Sequence, residues 1–526
     1  MGSSCLTNRV EVNTFSEKTN NKPQFADCSE KTIAKNNNNL LIYSEMLVTE
    51  NKEDIVKKYV PVCTLGEGSF GKVYKVKERS TGHSFAMKIV NKSNIDNKTK
   101  NKNLLNELYI LRKCDHPNIL KIYEYYSNDK YWYYIMEYLS GGELYENICH
   151  MSYYDEHTAA VIMKQIFSVV SYLNQMNIVH RDLKPENMML TKNKKYTEIK
   201  VIDFGTACFV NDNTRLSLKV GSLYYIAPEV LKANYGKECD VWSCGIIMHI
   251  LLVGFPPFEG KTKKEIFNKI LNNDLNFNSK TYSNISNEAK NLLRKLLEKN
   301  PKKRITAAEA LKDNWIIKYY NKNQISNENS TSETIVTNGN NKKEKEPILS
   351  LKNCLQNFSS KQKLKQASVA FIVHQMRTNK MIKKLTEIFK ELDESGDGLL
   401  SKEELQKGYK KYFEDSITDN EFDEIMQTID QDGSGQISIE EFLRATVDYD
   451  NLISEKNLKY AFESFDKDHS GSLSPDEIRE IFGLNSDDEN TSKILAQIFK
   501  DVDINGDGMI SYDEFKTMMK NQKQEF

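Results

Sequence analysis

Between Asp393 and Glu514 one twelve-residue pattern occurs four times, starting at Asp393, Asp430, Asp466 and Asp503, at spacings of 37, 36 and 37 residues. A period of this length marks a repeated supersecondary unit. Each copy opens on Asp, carries Gly at its sixth position (Gly398, Gly435, Gly471, Gly508) and closes on Glu. Oxygen-bearing residues at positions 1, 3, 5, 7, 9 and 12 suit a hard cation such as calcium, which takes about six to eight oxygens in a flexible shell. The first copy offers Asp393, Ser395, Asp397, the Leu399 carbonyl, Ser401 and Glu404. The second offers Asp430, Asp432, Ser434, Gln436, Ser438 and Glu441; the third Asp466, Asp468, Ser470, Ser472, Ser474 and Glu477; the fourth Asp503, Asn505, Asp507, Met509, Ser511 and Glu514. A single polar turn can imitate one such loop, but four in register cannot be read that way. The apolar residue at position 8 (Leu400, Ile437, Leu473, Ile510) is placed to pair loops through a short β contact.

The repeat also explains the charge. Residues 385–526 hold 35 Asp and Glu against 15 Lys and Arg, a net −20, so the remainder carries +19 to reach the chain's −1. An acidic half joined to a basic half implies separate tasks and mutual attraction. The nine cysteines are scattered without CxxC spacing, as expected of reduced thiols. The most apolar stretch, Cys244 to Phe258, is interrupted by His249, Gly254 and Pro256, and is expected to form a buried helix rather than cross a membrane. Residues 1–54 and 317–346 are rich in Asn, Lys, Ser and Thr and are expected to be disordered. Gly2 and Cys5, in Met1-Gly2-Ser3-Ser4-Cys5, are candidate myristoyl and palmitoyl acceptors, although Leu6 stands where Ser or Thr is usual.

The basic half carries a second ordered set of motifs. Gly66-Glu67-Gly68-Ser69-Phe70-Gly71-Lys72-Val73, entered through Leu65, would let backbone N–H groups approach phosphate closely. Ala86-Met87-Lys88 puts a lysine on the next strand, and Glu107 on a following helix is its expected partner. In His180-Arg181-Asp182-Leu183-Lys184-Pro185-Glu186-Asn187, Asp182 is suited to accept a hydroxyl proton, Lys184 to steady a transferring phosphoryl group and Asn187 to hold magnesium with Asp203 of Asp203-Phe204-Gly205. Ala227-Pro228-Glu229 closes the segment between. A lone glycine-rich loop would be weak; the complete set in order points to transfer of the ATP γ-phosphate with Mg2+.

Residues 59–316 thus resemble the eukaryotic protein kinases. Lys184 following Asp182 resembles the Ser/Thr class, Gly141-Gly142-Glu143-Leu144 resembles kinases regulated by calcium and calmodulin, and Met136 resembles the residue beside the adenine-binding hinge. The resemblance implies that Glu143 and Glu186 read basic residues near the acceptor Ser or Thr, and that Arg304 pairs with Glu229. The order of kinase then four loops over about residues 55–526 resembles the calcium-dependent protein kinases of plants and protists. The implied architecture is α+β and multidomain: a bilobal kinase followed by an all-α, calmodulin-like pair of EF-hand lobes at 385–526. The Asn/Lys-rich linkers point to an AT-rich genome such as an apicomplexan parasite's.

Residues 347–380 join the halves. Leu364, Ala367, Phe371, Ile372 and Met376 fall near one helical face beside Lys361, Lys363 and Lys365, and with Phe358 resemble that family's junction segment. A basic amphipathic helix fits a calmodulin-like groove. The expected switch is inhibition by this helix, relieved when calcium fills four loops, without separate calmodulin. The expected form is a cytoplasmic monomer without nucleic-acid partners, membrane-anchored where Gly2 and Cys5 are acylated. A calcium buffer with an idle kinase domain is the rival, and the intact Asp182, Asn187 and Asp203 set speaks against it. One position departs from the family: Leu218 stands where relatives often have an acid, leaving Thr214, Ser217 or Asp212 to supply Arg181's anion.

Overall fold

Alternating aromatic and β-branched residues between Tyr59 and Glu137 build five strands: β1 (Tyr59–Gly68), β2 (Gly71–Glu78), β3 (Ser84–Asn91), β4 (Ile122–Ser127) and β5 (Tyr131–Glu137). In this computed structural model they form one antiparallel sheet in the order β4–β5–β3–β2–β1, with Glu50–Asn51 added parallel to β4 at its edge. The register sets Ala86 opposite Met136 and Lys88 opposite Val73. The structure describes residues 48–320 and 363–520, apart from 49, 52–53, 69–70, 93–97, 193–197, 212–213, 376–379, 413–418, 431–432, 448–451 and 483–488. Gly2, Cys5, Ser69, Asp212, Asp432 and most of the two expected disordered stretches lie outside them.

Helix α1 (Lys98–Lys113) carries Glu107 toward the sheet. Below it, α2 (Glu156–Gln175) starts where the Asp155 carboxylate accepts the Thr158 N–H at 2.9 Å, a helix cap. The apolar stretch expected to be a buried helix forms α3 (Glu238–Val253), enclosed from Cys239 to Leu252 and ended by Gly254 at φ 93°. Among the described residues no helix is long and apolar enough to cross a membrane.

The C-terminal half is helical: α4 (Lys363–Gln375), α5 (Lys380–Leu392), α6 (Lys402–Tyr412), α7 (Asp419–Ile429), α8 (Ile439–Thr446), α9 (Glu455–Phe465), α10 (Pro475–Ile481), α11 (Glu489–Val502) and α12 (Tyr512–Lys520). Each twelve-residue loop sits between two of them. The loops pair through position 8: Leu400 and Ile437 exchange backbone hydrogen bonds of 2.9 and 2.8 Å, and Leu473 lies opposite Ile510. The first incoming helix begins at Lys380, five residues before 385.

The junction helix differs from its sequence pattern. Leu364, Ala367, Phe371 and Ile372 are buried, but so are Ser368, Val369, Ala370, Val373 and His374 around the rest of the circumference. Its apolar side chains share a core with α5 to α12, and Phe371 meets Phe465 at 5.1 Å between ring centroids. His374 meets Tyr123 of β4 edge-on at 5.9 Å. The helix has two partners, the calcium-binding half and the kinase half, so an amphipathic stripe is replaced by burial all round.

Candidate functional site

Small-lobe and large-lobe residues meet in one cleft. Lys88 Nζ lies 2.8 and 3.0 Å from the two Glu107 carboxylate oxygens. Burial opposes the Lys88 ammonium, but Glu107 and Asp203 more than offset it and its pKa lies above the usual value. Leu65 is exposed, and Gly66 and Gly68 lie opposite Val73 and Gly71 in the hairpin. Gly71 is required by close approach: a Cβ there would sit 1.9 Å from the Ile89 carbonyl oxygen. Glu67 pairs with exposed Lys72 at 3.4 Å.

The loop bearing Asp182 is held from beneath. The backbone N–H groups of His180 and Arg181 donate to the two oxygens of buried Asp240 at 2.7 and 2.8 Å. Asn187 donates to the Asp182 carbonyl at 2.9 Å, and Lys184 Nζ lies 3.0 Å from Asp182 Oδ2 and donates to Ser222 at 2.8 Å. Asp182 Oδ1 is buried and has no hydrogen-bond partner among the described residues. That costs free energy until a donor arrives, which suits an acceptor awaiting a substrate hydroxyl. The Gly205 N–H fixes Asp203 Oδ1 at 2.9 Å. Burial pushes the Glu186 carboxyl above its usual range; Lys184 opposes this, while Asp182 and Glu143 add to it. Crowded carboxylates of this kind favour a basic partner. Arg304 donates to Glu229 at 2.9 Å and to the Glu238 carbonyl at 2.7 Å, tying the end of the activation segment to the large lobe.

The four loops fold alike because their Asp and Glu bond their own backbone. The first Asp accepts the N–H of the sixth-position glycine at 2.8 Å in the first two loops and 2.9 Å in the others. The closing Glu accepts the position-9 serine N–H at 2.8–2.9 Å in all four. The same Glu forms capping boxes with Ser438 and Ser474, so one Ser-x-x-Glu unit both starts the outgoing helix and aims a carboxylate inward. Ligand atoms of Asp466, Asp468 and Glu477 converge within 4.8 Å of one another. Burial, reinforced by Asp397 and Glu404, pushes Asp393 up to about 7, against the Gly398 hydrogen bond and Lys164. A divalent cation would relieve that crowding, so these donors fit calcium.

Sequence reasoning missed how the halves meet. The Glu440 backbone N–H donates to Asp115 at 2.7 Å, Lys121 Nζ lies 3.0 Å from Glu440 and 3.3 Å from Asp115, and His374 Nδ1 lies 2.6 Å from the same Glu440 oxygen, all buried. Lys58 donates to the Tyr460 hydroxyl at 2.8 Å, Gln175 to Asp397 at 3.3 Å, and Lys390 bonds Glu198. The charge asymmetry was the one available signal; the partners lie tens to hundreds of residues apart.

Comparison with known proteins agrees with both halves. A protein kinase domain family matches residues 59–316, and an EF-hand domain pair matches 382–447 and 455–520. The chain is 37% identical over 501 residues to calcium-dependent protein kinase 4 of Plasmodium berghei, covering 93% of this chain and 91% of that protein. It is 35% identical to calcium-dependent protein kinase 4 of Plasmodium falciparum, covering 98% and 96%, and 36% identical to calcium-dependent protein kinase 33 of Arabidopsis thaliana, covering 89% and 86%. With a kinase cleft, a calcium-binding half and these relatives over nearly its whole length, the chain belongs to the calcium-dependent protein kinases and is a calcium-activated serine/threonine protein kinase.

Proposed function

We propose that the observed docking of the calcium-binding half is the working state of the switch, with calcium in all four loops. The observation that supports this most is the junction helix itself. It is enclosed between α8, α9 and β4, while the Lys88–Glu107 pair is formed in the cleft. Among the described residues, none of the contacts named between the halves involves Asp182, Asn187 or Asp203. In the calcium-free state the junction segment leaves this position and inhibits the kinase. Calcium opens the paired hands, which then capture α4 and hold it away.

In the working state Asp182 orients the Ser or Thr hydroxyl of a substrate and takes its proton. Lys184 lies beside the transferred group, and Lys88, held by Glu107, contacts the α and β phosphates. The glycine-rich hairpin from Gly66 to Gly71 covers the phosphates, and Ala86, Val73 and Met136 line the adenine side. Asn187 and Asp203 would hold Mg2+, which supplies neutralisation of phosphate charge. Glu143 and Glu186 select a basic side chain near the acceptor. The enzyme acts as a monomer, with acylation of Gly2 and Cys5 as its membrane anchor.

The test is phosphorylation of a basic Ser-containing peptide with calcium or with chelator, alongside Asp182→Asn. Calcium is expected to raise the rate at least tenfold, and Asp182→Asn to abolish transfer while calcium still binds. Equal rates with and without calcium would overturn the switch, and an active Asp182→Asn would overturn the assignment of the proton acceptor.

A further inference from the structure

The junction helix α4 carries a single side-chain hydroxyl, that of Ser368. Ser368 is fully buried, yet its hydroxyl bonds within the helix rather than across to a neighbour. Its Oγ donates to the Leu364 carbonyl at 2.7 Å, four residues back. A serine bonded this way lends a helix no net support. Leu364, Phe371 and Ile372 stand four residues before, three after and four after it, on one face of the helix. All three belong to the core shared with α5 to α12. Lys363 and Lys365 precede Ser368 by five and three residues.

A hydroxyl with lysines just ahead of it has the chemistry that Glu143 and Glu186 select, since those carboxylates crowd together beside Asp182 and favour a cation. In the docked state this acceptor is sealed, and Lys365 is itself partly buried. Once the segment leaves its position, the basic run and the hydroxyl are presented together. Docking therefore decides whether Ser368 can be reached. A phosphate there would add about −1.5 to −2 charges. The docked site offers it apolar side chains, on a half of the chain that already carries −20. Lost hydration and like-charge repulsion both exclude it.

We infer, resting on the calcium switch proposed above, that Ser368 is a phosphorylation site of this enzyme, modified by a second copy of the chain, and that its phosphate bars α4 from docking and the molecule from activation. Ser368 Oγ forms the new bond to the ATP γ-phosphorus, the bond from that phosphorus to the bridging oxygen breaks, ADP leaves, and the hydroxyl proton passes to Asp182 of the other copy. Donor and acceptor are different molecules for a simple reason. A docked chain is active but encloses its own Ser368; an undocked chain exposes Ser368 but is inhibited. The rate therefore follows the product of the docked and undocked fractions. It is largest at half docking and about 25-fold lower when about 99% of the chains are docked.

The experiment uses the full chain with Mg2+ and ATP, in chelator, at the calcium midpoint of peptide phosphorylation, and at saturating calcium. Phosphate on Ser368 is read by mass spectrometry of the digested chain. It should accumulate at the midpoint about tenfold faster than at either extreme, with a rate per molecule that rises with chain concentration. An Asp182→Asn chain, unable to transfer, should acquire it from the parent at the midpoint. When calcium is then raised to saturation, peptide phosphorylation should fall in proportion to Ser368 occupancy. Ser368→Ala, handled identically, should stay within about twofold of its starting rate, because the hydroxyl bonds only its own helix. Four results would each overturn the proposal: no phosphate on Ser368 at the midpoint, accumulation as fast at saturation, an unmodified Asp182→Asn chain beside a modified parent, or full activation of the phosphorylated chain. Peptide phosphorylation that ignores calcium would overturn the switch and this inference with it; a calcium-stimulated peptide rate with Ser368 unmodified overturns this inference alone.

Discussion

The first and fourth calcium loops have nearly the same ligand chemistry and different neighbours. Both open on an Asp that binds the N–H of a sixth-position glycine, and both close on a Glu that binds a serine N–H. Around Gly506 and Gly508 of the fourth loop there is open space for an added Cβ. In the first loop a Cβ on Gly398 would lie 2.1 Å from the His116 ring, and one on Gly396 would lie 2.6 Å from Lys164 Cε and 3.5 Å from Leu311. A cleft of about 400 Å3 bordered by Leu311, Lys312 and Ile317 of the kinase also exposes Ser395, Asp397 and Glu404. The difference shows that a loop with the donor pattern for calcium can also be a docking surface. An ion in the first loop shares its surroundings with the kinase, so its affinity and the docking are linked reciprocally; an ion in the fourth loop acts through the helices alone.

The strongest way to erase this difference is to detach the first pair of hands. Lys121 neutralises Asp115 and Glu440 in a buried cluster that also holds His374. Lys121→Met leaves those acids enclosed without their cation, a loss of about 3–5 kcal/mol for breaking a buried pair. Amide exchange across α4 in calcium should then accelerate by two orders of magnitude or more, and the loops should come to resemble each other. Exchange unchanged from the parent would show that the cluster does not hold the halves together.

Much of this molecule was legible because its chemistry is periodic or contiguous. Calcium ligands must alternate along one loop, so Asp393 to Glu404 can be read from letters alone, and the same holds for the run from His180 to Asn187. The pairing of Leu400 with Ile437 followed from one apolar position in each loop. The junction helix was only half legible: Leu364 and Phe371 announce one buried face, but nothing local says that His374 and Gln375 reach a second partner at Tyr123. Docking was illegible for a related reason. His116 and Lys164 carry no motif, and they matter through Gly398 and Gly396, more than 200 residues away.

A smaller and more specific break uses the fourth position of the loops. His469 holds that position in the third loop at φ 58°, so a left-handed histidine is compatible with this loop geometry. Gly396 and Gly506 occupy it in the first and fourth loops at φ 72° and 75°. Gly396→His and Gly506→His therefore carry the same backbone cost, and only the first meets Lys164 and Leu311. Overpacking of that contact should weaken docking by about 1–3 kcal/mol, while Gly506→His leaves it within about 0.5 kcal/mol. The readout is exchange across α4 at saturating calcium, where only Gly396→His should show faster exchange. Equal behaviour of the two variants would mean that the first loop is no more a docking surface than the fourth.

The smallest expected effect concerns charge rather than shape. Lys164 lies over the Tyr320 ring at 4.1 Å and beside Gly396. Burial depresses its ammonium pKa, while Asp393 and Glu404 pull it back up, so the cation and those two acids share one local field. A positive group next to a calcium site lowers the potential that attracts the ion, and at an effective dielectric constant of about 20–40 this penalty is on the order of 1 kcal/mol. Lys164→Met keeps the length of the side chain and removes the charge. Calcium should then bind the first loop several-fold more tightly and the fourth loop unchanged. The amide signals of Gly398 and Gly508, each bonded to its loop's first Asp, report the two loops separately in one titration. If both midpoints stay in place, the kinase touches the first loop without tuning it; if both move together, the effect runs through the helices and the distinction between the loops fails.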